Sequence, residues 1–245
     1  MKKISLKKKD VIYISIISLL IIAITILSVC LYWANVKKAT WQAGEYYNNK
    51  VTSFEIQNTN LSRGQIIFVG DSITDMYPLD DYYADLDLAC YNRGIGGDTT
   101  AGVINRIQTS IFDLAPSKIV LMIGTNDVDF GRSTEEIFAN YRIILEEIKR
   151  NQPTVELYFM SVIPQNKDLE KSVGLDVTKN NQTIQYINQE IQKLCQEYGH
   201  TYIDLYPHLL DEDGYLRKDL SDDGLHLNAN GYAIWTSLLK PYLEK

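Results

Sequence analysis

Short apolar runs alternate with longer amphipathic segments along residues 65–243. The runs are rich in β-branched and aromatic side chains, which is typical of buried strands. They lie at 66–69, 89–91, 119–123, 155–160 and 202–205. Strands that alternate with helices form parallel sheets covered on both faces. The pattern therefore predicts one α/β domain at 65–243, a three-layer α/β/α sandwich around a central parallel five-stranded sheet.

The segments between the runs carry the period of a helix. Ser133 begins the sequence S-T-E-E, a capping box that predicts a helix start. The apolar positions after it share one face: Ile137, Tyr141, Ile144, Leu145 and Ile148. A second apolar stripe ends before Gly199: Ile184, Ile187, Ile191, Leu194, Cys195 and Tyr198. We expect both stripes to pack in the core, and a last helix to run from after Asn228 to near Pro241.

Residues 11–33 hold no charged side chain and are mostly Ile, Leu and Val. As a helix this segment would be roughly 35 Å long, enough for the ~30 Å hydrocarbon core of a bilayer. Five lysines precede it and only Lys37 and Lys38 follow closely. By the positive-inside rule, residues 1–10 form a cytoplasmic tail, 11–33 a single-pass transmembrane anchor and 34–64 a juxtamembrane stalk, helical around 39–54. The domain at 65–243 is then extracytoplasmic, at the cell membrane.

A cleaved signal peptide is the alternative reading of the same segment. The apolar run exceeds the usual 7–15 residues of such a peptide, and no small-x-small cleavage site follows it. Cys30 lies in L-S-V-C, but Val29 stands where a lipoprotein box requires a small residue. We therefore favour an uncleaved anchor.

The charge and cysteine content narrow the class of protein. The net charge is −7, although the first ten residues hold five of the 24 basic side chains and one of the 31 acidic ones. The rest of the chain is strongly acidic without a basic block, which argues against nucleic acid as a partner. Three cysteines and no C-x-x-C or H-E-x-x-H give neither a disulfide framework nor a structural metal site. No metal or cofactor is expected.

Four polar sequences lie at the ends of predicted elements: G-D-S at 70–72, N-R-G-I-G-G-D at 92–98, G-T-N-D at 124–127 and D-G-L-H at 223–226. The first three follow strands, and the fourth precedes the last helix. The carboxyl ends of parallel strands lie along one edge of the sheet, where such folds place their ligands. We expect these four sequences to meet there.

The residue types at this edge suit acyl transfer. Ser72 is the candidate nucleophile, His226 its base, and Asp223 the group that orients the imidazole. Oxyanion donors are available from the backbone N–H groups of Ser72 and Gly97 and from the amide of Asn126. Asp222 is an alternative to Asp223, and each motif alone is a common turn or cap sequence.

A nucleophile elbow of the α/β-hydrolase type fits the chain less well. That elbow has the sequence G-x-S-x-G, and its second glycine is replaced here by Thr74.

The sequences G-D-S-I, N-R-G-I-G-G-D, G-T-N-D and D-G-L-H-L-N-A-N-G-Y together resemble the SGNH/GDSL hydrolase family, from Ile66 to Tyr232. The G-I-G-G-D and G-T-N sequences are similar to those of platelet-activating-factor acetylhydrolase alpha subunits. The resemblance implies a flavodoxin-like fold and cofactor-free serine hydrolysis of carboxylic esters. It assigns Ser72, Asp223 and His226 as the triad, and Ser72 N–H, Gly97 N–H and Asn126 as the oxyanion hole.

These expectations combine into a membrane-anchored extracytoplasmic esterase for short acyl groups on a small-molecule, glycan or lipid ester. One alternative is an O-acetyltransferase that uses the same triad on surface polysaccharide. Another is a non-catalytic binding module on the same fold. Specificity is expected from the loops 75–83, 129–132 and 164–177, where four aromatic side chains are candidates to line a pocket: Tyr77, Tyr82, Tyr83 and Phe130.

Overall fold

The computed structural model describes residues 8–168 and 174–245, and the chain divides into two compact units between Asn48 and Asn49. One long helix, α1 (Lys8–Asn58), contains both the predicted anchor and most of the predicted stalk. The described large apolar side chains of residues 17–31 are at least half exposed. Within the described residues, no helix is both long enough and apolar enough to cross a membrane. The predicted transmembrane helix is therefore not confirmed.

The second unit, residues 49–245, contains a parallel five-stranded sheet, as the apolar runs predict. Its strands are β1 (Ile66–Gly70), β2 (Cys90–Gly94), β3 (Lys118–Met122), β4 (Glu156–Met160) and β5 (Thr201–Ile203). Their order in the sheet is β2-β1-β3-β4-β5, and every neighbouring pair is parallel. Gly70 at the end of β1 pairs with Gly94 on one side and with Met122 on the other. The ends of these three strands therefore lie level at one edge.

Helices connect the strands and cover both faces. They are α2 (Ser72–Asp75), α3 (Leu79–Tyr83), α4 (Thr100–Asn105), α5 (Ile107–Ser110), α6 (Thr125–Asp129), α7 (Thr134–Asn151), α8 (Val177–Tyr198) and α9 (Ala229–Leu243). Short 3-10 turns lie at Phe112–Leu114, Tyr206–Leu209 and Lys218–Leu220. The Ser133 side chain caps α7 by accepting a hydrogen bond from the Glu136 N–H, as the capping box predicts. Helix α9 continues through Pro241 to Leu243.

Alternate side chains of β1 enter two separate cores, which accounts for the three layers. Ile67 and Val69 pack with the apolar stripes of α7 and α8, so both stripes lie in the core as predicted. Ile66 and Phe68 pack on the opposite face, with α3 and α9. Residues 49–58 of α1, placed in the stalk by the sequence analysis, belong to this same unit.

Candidate active site

Ser72 is the first residue of α2, two residues beyond Gly70 at the end of β1. The turn between them is tight: a Cβ on Gly70 would overlap the Thr74 hydroxyl and the carbonyl of Met122. Asp71 then caps α2, because its Oδ1 accepts a hydrogen bond from the Ile73 N–H at 3.0 Å. This cap fixes the backbone on both sides of Ser72 and leaves its side chain half-buried at the edge of the sheet.

Ser72, His226 and Asp223 are joined side chain to side chain. His226 Nε2 lies 2.8 Å from Ser72 Oγ, and His226 Nδ1 lies 2.6 Å from Asp223 Oδ2. The other oxygen of Asp223 accepts hydrogen bonds from the N–H groups of His226, at 2.8 Å, and Leu225, at 3.0 Å. The loop before α9 thus holds its own carboxylate and imidazole in place. This is the geometry of a nucleophile, a base and an orienting acid.

Asp223 is held in its ionised form. Burial alone would raise the pKa of this carboxyl, but hydrogen bonds from the His226 ring and from two backbone N–H groups outweigh it, so the pKa lies below its ordinary value. An ionised Asp223 accepts from Nδ1–H and leaves Nε2 free to accept the Ser72 proton. Asp222, the alternative, is exposed, and it is Asp223 that contacts the ring.

The two other predicted oxyanion donors come from the strands on either side of β1. Gly97 follows β2 and adopts a φ of +77°, a conformation that favours glycine, with its backbone exposed. Asn126 follows β3, and its Nδ2 donates to the carbonyl of Asp98 at 2.8 Å. That bond uses one of the two amide hydrogens and fixes the amide plane. The second hydrogen remains for an oxyanion.

Arg106 is a supporting residue that the sequence analysis missed. Its buried guanidinium pairs with Asp98 at 2.7 Å and donates to the carbonyls of Arg93, at 2.8 Å, and Gly70, at 3.0 Å. One side chain therefore joins the ends of β1 and β2 to the turn that carries Gly97. The only sequence signal is Asp98 itself, since an aspartate buried beside the site requires a partner.

Asp127 likewise connects two segments behind the site, through hydrogen bonds to Thr100. Its carboxylate accepts from the N–H of Thr100 at 2.9 Å and from the Thr100 hydroxyl at 2.7 Å. The G-T-N-D sequence is thereby joined to the first residue of α4, two residues after Asp98.

Burial raises the pKa of the Asp71 carboxyl. Only 1% of this residue is exposed, and Oδ2 has no hydrogen-bond partner among the described residues. Burial, reinforced by the nearby carboxylates of Asp98 and Asp127, raises the pKa of Asp71 to about 7 against the bond from the Ile73 N–H. The residue next to Ser72 therefore carries a proton over much of the acidic range.

Two of the four aromatic candidates for a substrate pocket belong to the core. Tyr77 and Tyr83 are buried, and their hydroxyls lie 2.8 Å apart. Both rings pack on the α9 side of the sheet, and both line a cavity beside α3 and β2 whose lining does not include Ser72 or His226. Tyr82 is half-buried, whereas Phe130, just after α6, and Met76, just after α2, are 62% and 59% exposed.

Known proteins share both the sequence and the fold. Residues 68–234 match the GDSL-like lipase/acylhydrolase family. Platelet-activating factor acetylhydrolase IB subunit alpha2 of Rattus norvegicus is 28% identical over 182 residues, which cover 73% of this chain and 74% of that protein.

Among solved structures, a Streptococcus pneumonia protein provisionally named a platelet activating factor superposes with a TM-score of 0.79 at 29% identity, over 85% of this chain and 97% of that one. A catalytic mutant of an acetylxylan esterase from Geobacillus stearothermophilus shows the same fold, with a TM-score of 0.59 at 19% identity over 76% and 96%. The family match covers well over half of the chain, including all four polar sequences. This chain therefore belongs to the GDSL-like lipase/acylhydrolase family and is an ester-hydrolysing enzyme.

Proposed function

We propose that the chain is a serine esterase that removes short acyl groups, acetyl foremost, through an acyl-enzyme on Ser72. The observation that carries the proposal is the chain of contacts from Ser72 Oγ to His226 Nε2, at 2.8 Å, and from His226 Nδ1 to Asp223, at 2.6 Å. These distances are those of an activated nucleophile, its base and an orienting acid.

The reaction has two halves. Ser72 Oγ attacks the ester carbonyl while His226 Nε2 takes its proton, and the oxyanion accepts hydrogen bonds from Ser72 N–H, Gly97 N–H and Asn126 Nδ2. The imidazolium, stabilised by Asp223, returns the proton to the leaving alcohol. Water then attacks the acyl-enzyme with His226 again as the base, and the proton returns to Ser72.

The preference for short acyl groups rests on the named relatives. Platelet-activating factor acetylhydrolase and acetylxylan esterase, as their names say, both act on acetyl esters. The two names give different alcohol partners, a platelet-activating factor and a xylan, so we leave the alcohol open here. A surface glycan or a lysolipid-type ester presents the same carbonyl to Ser72.

Hydrolysis of p-nitrophenyl acetate, butyrate and octanoate by the full chain tests the proposal. We expect turnover to fall with acyl length and to be abolished in Ser72→Ala, while Ser237→Ala, at an exposed serine of α9, retains wild-type activity. Near-wild-type turnover by Ser72→Ala would overturn the assignment. Acyl release that depends on Ser72 but requires a sugar acceptor would indicate the O-acetyltransferase instead.

We propose further that residues 11–33 anchor the enzyme in the cell membrane, with the N-terminus cytoplasmic and the hydrolase domain outside. Three observations support this: an uncharged run of 23 residues, the excess of lysines before it, and the exposure of its described apolar side chains between residues 17 and 31. Exposed apolar surface of this extent is unfavourable in water and requires burial in a bilayer or against another protein. A bilayer supplies that burial.

A further inference from the structure

Asp75, the last residue of α2, links the end of α1 to the loop that carries Gly97. Lys50 Nζ lies 2.6 Å from Asp75 Oδ1, and Asp75 Oδ2 accepts a hydrogen bond from the Gly96 N–H at 3.1 Å. The carboxylate of Asp75 therefore joins a cation on α1 to the residue directly before Gly97. None of the motifs in the sequence analysis includes Lys50 or Asp75.

Residues 95–98 form a tight turn with Gly96 and Gly97 at its centre. The Asp98 N–H donates to the carbonyl of Ile95 at 3.1 Å, and Gly97 has a φ of +77°. The far end of the turn is fixed by the ion pair of Asp98 with Arg106. Its centre is held by the Asp75 carboxylate, which accepts from the Gly96 N–H. Because the direction of the Gly97 N–H depends on the backbone of Gly96, both restraints are needed to aim this donor.

We propose that Lys50 is a positioning residue for the oxyanion hole, which acts on Gly97 through Asp75 and Gly96. The proposal rests on the esterase function above. Lys50 and Asp75 are both partly shielded from water, their side chains being 30% and 15% exposed. Replacing the ammonium group removes the ion pair at Asp75 Oδ1, so the carboxylate is held less firmly in the rotamer that accepts from the Gly96 N–H. The turn then samples orientations in which the Gly97 N–H misses the oxyanion.

Lys50 is not needed to keep the end of α1 packed on the domain, because a second group of contacts holds this helix end. The guanidinium of Arg93 stacks 4.7 Å from the Phe54 ring centroid and donates to Gln57 at 3.1 Å and to Asn58 at 3.0 Å. Phe54 and Arg93 are both buried. This cluster does not involve Lys50, so we expect α1 to stay packed when Lys50 is replaced.

The test compares Lys50→Met with Lys240→Met in the full chain, with p-nitrophenyl acetate as substrate. Lys240 is a matched control, since it also pairs with one aspartate, Asp85, at 2.7 Å, on the α9 side of the fold. Removal of a whole oxyanion donor costs roughly 10²–10³ in kcat. A donor that is misdirected for part of the time lowers kcat by less than this. We expect Lys50→Met to lower kcat about tenfold and to leave KM within twofold of wild type. Lys240→Met should change neither.

Two further variants separate positioning from folding. Lys50→Arg retains the cation and should restore kcat. Asp75→Ala should lower kcat at least as far as Lys50→Met, and the double variant should be no worse than Asp75→Ala, because both changes break the same path. Where Lys50→Met does not fold, Lys50→Gln replaces it.

Three results would overturn the proposal while leaving the esterase assignment intact: Ser72-dependent turnover with kcat of Lys50→Met within twofold of wild type, an equal loss in Lys240→Met, or a rise in KM alone. Activity that survives Ser72→Ala would instead overturn the esterase function itself. The two failures are therefore distinguishable.

Discussion

At the scale of single residues, Asn126 has two tasks that use different hydrogens of one amide. One hydrogen bonds the carbonyl of Asp98 and fixes the side chain, and the other faces the oxyanion in the proposed mechanism. We expect Asn126→Ala to lower kcat by roughly 10²–10³, the usual effect of one oxyanion donor, and to change KM little. Steady-state kinetics on p-nitrophenyl acetate measure this. Asn151→Ala, at an exposed asparagine at the end of α7, is the control, and an unchanged kcat in Asn126→Ala would remove this residue from the hole.

Asp71 gives a second prediction at this scale, in the pH dependence of stability. Its pKa rises from an unfolded value near 3.8 to about 7 in the folded protein. The folded state therefore binds this proton more tightly, and the Asp71 contribution to stability is lost as pH rises from about 4 to about 7.

Asp71→Asn keeps the cap on α2 without the titration. Urea unfolding should show that the free energy of unfolding of the variant, relative to wild type, rises between pH 4.5 and pH 7.5. The expected rise is about 3 kcal/mol, because each unit of pKa shift is worth about 1.36 kcal/mol and most of the shift lies within this range. A difference between variant and wild type that is the same at both pH values would contradict the assignment.

At the scale of elements, Arg106 shows how the strand ends are held together. Replacement by leucine leaves Asp98 buried without a cation, and loss of one partner from a buried ion pair costs about 3–5 kcal/mol. We expect Arg106→Leu to lower the free energy of unfolding by that amount in urea titration. Arg142→Leu removes surface pairs with Glu197 and Glu190 and should cost about 0–1 kcal/mol. An equal loss in the free energy of unfolding for the two substitutions would show that the buried pair of Arg106 with Asp98 does not stabilise the fold more than a surface pair.

The strands and helices could be predicted from the sequence, whereas the partners of the buried charges could not. Apolar runs and stripes report burial, which is a local property, so all five strands and the stripes of α7 and α8 could be predicted. The partner of a buried charge is a long-range property. Nothing near Arg106 indicates Asp98 and the carbonyl of Gly70, and nothing near Lys50 indicates Asp75. The burial of Tyr77 and Tyr83 could not be predicted either, because so short a segment has no period to show which way its aromatic side chains face.

The candidate site was easier to predict than its support. Ser72, Asp223 and His226 lie within short motifs at element ends, and parallel topology alone brings such ends to one edge. The residues that fix the motifs in space are dispersed among ordinary helix positions. Residues 49–58 illustrate the limit, since their polar sequence suggests a stalk although Phe54 is buried in the domain.

At the scale of the whole molecule, the proposed anchor is the feature to test. We expect the full chain, expressed in a bacterium, to stay with the membrane fraction after an alkaline wash. A variant with Ile21→Lys and Ile24→Lys should be washed off, because charged residues in the centre of a span cost about 2.5–3.5 kcal/mol each on insertion scales. Ile143→Lys, at an exposed site on α7, is the control. Recovery of the wild-type chain in the washed supernatant would contradict the anchor.

The order β2-β1-β3-β4-β5 has a consequence for access to the enzyme. The chain leaves β1 toward one side to form β2 and then returns past it to form β3, so the connections diverge at a topological switch point above Ser72. Divergent connections leave a crevice at the strand end, and Gly97 and Asn126 flank it from opposite sides. A chain polymer could therefore lie across the mouth of this crevice and present one ester at a time, without threading an end through the protein.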